Sequence, residues 1–98
     1  MQMEPNLRDQ VSGTGELLLK VTFERTRSTD IDVYIDGNYV GKFVPQPNSD
    51  FMNYKLPAGL RTIRVEATYK GKKDTSEHRV LILGDDARQI IEAELDLD

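Results

Sequence analysis

Cysteine is absent from this 98-residue chain, and histidine occurs once, as His78. The first absence excludes a disulfide frame, a thiolate metal site and a Cys-His nucleophilic pair; the second makes any Ser-His-Asp chemistry depend on one ring. A cationic excess is missing too, since 13 Lys and Arg against 17 Asp and Glu leave a net charge of −4. That balance weighs against nucleic acid or an anionic membrane as the main partner, because such binding draws on positive charge. Residues 2–10 are polar, with neither the basic start and apolar run of a signal peptide nor a stretch able to cross a bilayer. The chain therefore reads as a cytoplasmic protein or as a domain of a longer one, its localisation and redox compartment open. Nor does any segment repeat its apolar residues every third or fourth position, the mark of an amphipathic helix.

What the chain does have is two-residue alternation. Ile31, Val33 and Ile35 alternate with Asp32, Tyr34 and Asp36, and after a glycine the chain runs back through Tyr39 to Val44. Gly37 and Asn38 both tolerate positive φ, so a two-residue hairpin turn is expected there. That turn sets Ile35 opposite Val40 and Ile31 opposite Val44 on one face, leaving Tyr34, Tyr39 and Phe43 on the other.

The same period marks residues 16–25, 51–56, 60–69, 75–83 and 87–97, with the turns between them rich in Gly, Pro, Asp, Asn and Lys. The last of these has a helical rival in its Ala-Glu-Leu-Asp composition, but strict alternation from Ile91 favours a strand. Residues 45–50 hold Pro45 and Pro47, which admit no central strand, so this stretch is a loop or a switch between sheets. The expected fold is all-β: an antiparallel two-sheet β-sandwich of about seven strands, in immunoglobulin-like or transthyretin-like order. It occupies residues 16–98 as one domain, behind a tail or arm of residues 1–15 that ends in linker-like Ser-Gly-Thr-Gly. Val65→Asp is expected to unfold it and Glu66→Lys to be tolerated.

The run from Val33 to Lys42, then Leu56-Pro57-Ala58-Gly59 and the alternating stretch 62–67, resembles the PEGA domain. The likeness covers residues 31–97 and rests on hairpin, turn and strand motifs; Arg61 stands where that family often has histidine, and the 45–50 loop is longer. The resemblance implies a small β-sandwich serving as a non-catalytic attachment or interaction module, frequently in bacterial or archaeal surface and multidomain proteins. It carries no active site to transfer.

Few residues offer chemistry of their own. His78 lies among charged residues at a strand start, with Ser76 and Ser49 the serines a triad would recruit, and reads as an ordinary histidine. Asp32 and Asp36 sit about 13 Å apart along a strand and cannot share a calcium ion unaided. Asp85 and Asp86 read as turn formers, and Lys70, Lys72 and Lys73 as a solvated hairpin tip. The aromatics are more telling. Tyr34, Tyr39 and Phe43 on a wet face, with Phe51 beyond the proline loop, suit recognition of another protein. Leu7 and Val11 are the only apolar anchors in the tail. The expectation is thus a non-enzymatic, cofactor-free interaction or structural module, extended to a small subunit attached to a larger multi-subunit assembly. A carbohydrate- or calcium-binding surface module is the alternative.

Overall fold

In the computed structural model, residues 13–23 and 30–96 are described. Seven strands form among them: β1 (Thr14–Phe23), β2 (Ile31–Ile35), β3 (Asn38–Lys42), β4 (Met52–Pro57), β5 (Gly59–Tyr69), β6 (Lys72–Ile82) and β7 (Arg88–Leu95). They make two packed sheets, of order β4-β1-β7 and β3-β2-β5-β6. Alternation becomes layering directly. Leu17 and Leu19 of β1, Ile31, Val33 and Ile35 of β2, Ile63, Val65 and Ala67 of β5, and Ala93 and Leu95 of β7 fill the space between the sheets. Each buried Leu, Ile or Val among these stabilises the fold by about 1.5–3 kcal/mol relative to exposure.

One pairing departs from the antiparallel expectation. β1 and β7 run parallel, in register from Glu16↔Arg88 to Phe23↔Leu95. A parallel pair needs a long connection, and the five strands between the first and the last supply it. β1 also begins at Thr14, inside the expected tail: Gly13 C=O accepts from Ala58 N–H at 2.9 Å, and Gly15 is buried. A Cβ on Gly15 would collide with the Leu83 carbonyl oxygen and lie 2.8 Å from Ile82 Cγ2, so glycine is what lets β1 approach the β6–β7 connection. Leu7 and Val11 lie outside the described residues, as does Leu97.

The central hairpin is corrected in register. Ile35 pairs with Asn38, so the turn is Asp36-Gly37, with φ of 52° and 82°, rather than Gly37-Asn38. Lys70-Gly71 (50° and 78°) and Asp85-Asp86 (60° and 57°) repeat the same left-handed pair, the geometry whose twist suits tight reversals between strands. Beyond the turn Tyr34 pairs with Tyr39, but Val33 pairs with Gly41, which leaves Val40 as the extra residue of a β-bulge. The bulge inverts the expected facing. Val40 and Val44 are 42% and 65% exposed, whereas Phe43 donates its N–H to Ile31 C=O at 2.8 Å and packs against the core.

After Phe43 the chain crosses to the other sheet through a self-bonded loop. Gln46 N–H donates to Phe51 C=O at 3.1 Å, Ser49 N–H to Gln46 C=O at 3.0 Å, and Phe51 N–H to Ser49 Oγ at 3.1 Å. Tyr54 of β4 packs on the core, and burial pushes its phenol up to about 12.

Candidate interaction face

The bulge decides what the outer face of the four-stranded sheet presents. Because Tyr34 and Tyr39 are cross-strand partners, their rings meet at 5.4 Å between centroids, tilted by 57°. Arg64, the β5 neighbour of Tyr34, lays its guanidinium over that ring at 4.4 Å. Tyr39 is 54% exposed and donates its hydroxyl to Asp32 Oδ1 at 3.3 Å. Lys42 then bridges Asp32 at 3.5 Å and Asp30 at 3.3 Å.

Beside this group lies an acid that is covered although it points outward. Glu66, opposite Asp32, is only 9% exposed, bonded by Lys73 Nζ at 2.7 Å and Arg64 Nη2 at 3.1 Å. The Lys73 bond outweighs desolvation and, with the Arg64 charge, holds the Glu66 carboxyl below the usual carboxylate range. Tyr34, Arg64, Glu66 and Lys73 are thus a fixed row across three strands, while Tyr39 stands open to solvent at one end.

A second tie fixes the hairpin end. Asp36 accepts from Thr62 N–H and from Arg61 Nη1, both at 2.9 Å, and Arg61 also donates to Pro57 C=O at 3.1 Å and Ala58 C=O at 2.9 Å. One guanidinium therefore joins the β2–β3 turn to the β4–β5 turn. The Thr62 N–H and Arg61 keep Asp36 below the usual range as well.

Of the residues expected on one surface, Tyr34 and Tyr39 come together. Phe43 does not, because the bulge turns it into the core, and Phe51 stands at the entry to β4 in the other sheet. Arg64, Glu66 and Lys73 escape sequence reasoning, since only the pairing of β2 with β5, and of β5 with β6, gathers them beside Tyr34. The candidate acids are accounted for: Asp30 and Asp32 face Lys42, Asp36 faces Arg61, and Asp85-Asp86 form the turn closed by Ala87 N–H to Gly84 C=O. Among the described residues no three His, Cys, Asp or Glu are grouped to hold a metal ion. Ser76 Oγ and His78 Nε2 are 2.9 Å apart on β6, while the nearby Asp74 carboxylate accepts the Asp96 N–H at 2.8 Å. No helix among the described residues is long and apolar enough to cross a membrane. In comparisons with known proteins, no family model, no curated protein and no solved structure matched the chain.

Proposed function

We propose that this chain is a non-catalytic interaction module, of the PEGA-like kind its hairpin resembles, which holds another protein against the outer face of its four-stranded sheet, as a small subunit attached to a larger assembly. The observation that carries this reading is the Tyr34–Tyr39–Arg64 stack, locked by the ion pairs around it. Aromatic and arginine side chains already fixed in place lose little freedom on binding, so a partner closing over Tyr39 keeps most of the gain from burying it. The surrounding alternation of Asp32, Lys42, Glu66 and Lys73 supplies a rim of both signs. A sugar platform is less well served, because the rings are tilted and one face of Tyr34 is taken by Arg64.

Photo-crosslinking tests the reading. With p-benzoyl-phenylalanine at Tyr39, irradiation of producing cells is expected to give one discrete protein adduct that Tyr34→Ala abolishes. The same probe at Ile90, on the outer face of the other sheet, is the control, and equal adducts from both positions would overturn the assignment.

A further inference from the structure

β6 is one margin of the four-stranded sheet and the longest of the edge strands, with 11 residues against 5 in β3, 6 in β4 and 8 in β7. Its pairing with β5 runs unbroken from Tyr69↔Lys72 to Gly59↔Ile82, whereas β3 carries the bulge and β4 ends in Pro57. The turn fixes which way its backbone groups point. A two-residue turn is closed by a hydrogen-bonded pair, so alternate residues from Lys72 to Val80 bond to β5. Lys73, Thr75, Glu77, Arg79 and Leu81 therefore aim N–H and C=O away from the sheet.

Gln89 agrees with that assignment. Its side-chain amide donates to Leu81 C=O, and its Oε1 accepts from Leu83 N–H at 3.0 Å. A side chain thus occupies the strand position beyond Leu81 and shuts that end of the edge to another strand. Among the described residues no other strand pairs with the stretch from Lys73 to Arg79, whose one described side-chain tie to the C-terminal segment is the Asp96 N–H on the Asp74 carboxylate at 2.8 Å.

We propose that a second copy of this chain pairs with that stretch, β6 against β6, antiparallel about a two-fold axis through Thr75. In this register Lys73, whose ammonium also holds Glu66 at 2.7 Å, faces Glu77 of the partner subunit on the outer face, twice by symmetry, and Asp74, which accepts the Asp96 N–H at 2.8 Å, faces Ser76 of the partner subunit on the inner face. Neighbouring registers are worse. An axis at Ser76 sets Lys73 against Arg79 of the partner subunit; axes at Asp74 and Glu77 oppose like carboxylates at the centre; an axis at His78 needs the edge that Gln89 fills. The pairing shares only Lys73 with the Tyr39 face and leaves Tyr39 uncovered.

The absence of native cysteine makes the test clean. Across a hydrogen-bonded antiparallel pair the Cα atoms are about 5.5 Å apart, within disulfide reach, whereas two Glu77 positions would be about 13 Å apart or more. With oxidised glutathione and protein at about 100 µM, Thr75→Cys is expected to give crosslinked dimer about tenfold faster than Glu77→Cys. By sedimentation velocity the parent chain should be a dimer with a Kd on the order of 10–100 µM, as a single added strand pair buries less than a standard interface. Thr75→Pro removes only an outward N–H, so it should melt like the parent yet run as a monomer. If it melts lower, Glu77→Lys replaces it, with an expected weakening of about tenfold. Tyr39→Ala should leave the dimer intact. A parent that stays monomeric at about 500 µM, or equal crosslinking at both cysteine positions, overturns the proposal.

Discussion

The two hairpins of the four-stranded sheet close with the same pair of left-handed turn residues and then diverge. β5–β6 keeps one register through 11 pairs, while β2–β3 breaks after two, at Val40. The difference lies in what each hairpin packs against. β5 alternates without interruption and its inward Ile63, Val65 and Ala67 fill the core, while the inward side of β6 carries half-buried Asp74, Ser76 and His78 before Val80 and Ile82 reach it. The short hairpin has Gly41 at φ 117° where the inward position opposite Val33 falls, and the bulge lets the chain spend one residue before Phe43 swings in. A regular hairpin makes a straight margin; an irregular one makes a face.

The largest break in that comparison is expected at Val65, which is 0% exposed in the middle of β5. Val65→Asp buries an unpaired carboxylate and should cost about 4 kcal/mol or more, leaving no cooperative transition by circular dichroism. Glu66→Lys comes next. It sets a third cation beside Arg64 and Lys73, and should lower stability by about 2 kcal/mol in a urea titration, in contrast to the tolerance expected from its outward position.

Acid should act on both hairpins at once. Asp36 and Glu66 have folded values below their unfolded ones, so the unfolded chain binds more protons in that range, and their contribution is present at neutral pH and lost as pH falls below about 4. Glu66→Gln should flatten this acid limb in melts recorded between about pH 2 and 6. Arg61→Ala releases the tip of the short hairpin from the β4–β5 turn. Allowing for solvent screening of a pair that is 26% and 36% exposed, about 1 kcal/mol is expected, with faster amide exchange at Asp36. The smallest effect belongs to deletion of Val40, which removes the bulge without changing which face Phe43 takes; the melting point should move by no more than about 3 °C. Deleting Thr62 instead should unfold the domain, since it reverses the facing of one side of β5.

Much of the fold was legible in side-chain period alone. Ile63, Val65 and Ala67 could be assigned inward from sequence because a core accepts every second residue and nothing else in the chain competes. Sequence alone does not place the β2–β3 turn to the residue, because Asp36, Gly37 and Asn38 all tolerate the left-handed region and local chemistry does not choose among them. Tertiary bonds do: Asp36 held by Thr62 and Arg61 selects the register. Tyr34 and Tyr39 are readable from sequence as outward aromatics, but their company is not, since Arg64 reaches Tyr34 and Lys73 reaches Glu66 from strands distant in sequence. Burial of Glu66 was equally hidden. Its cover is supplied by long side chains folded over it, which no pattern of apolar residues records.

The parallel pairing of β1 with β7 has a mechanical meaning. Chain enters the sandwich at Thr14 and leaves by Leu95 at the opposite pole, so a pull on those two points in opposing directions slides one strand past the other. Eight residue pairs then carry the load side by side instead of unzipping in turn, and a domain strung into a tether by its ends would yield only when that whole ladder gave way.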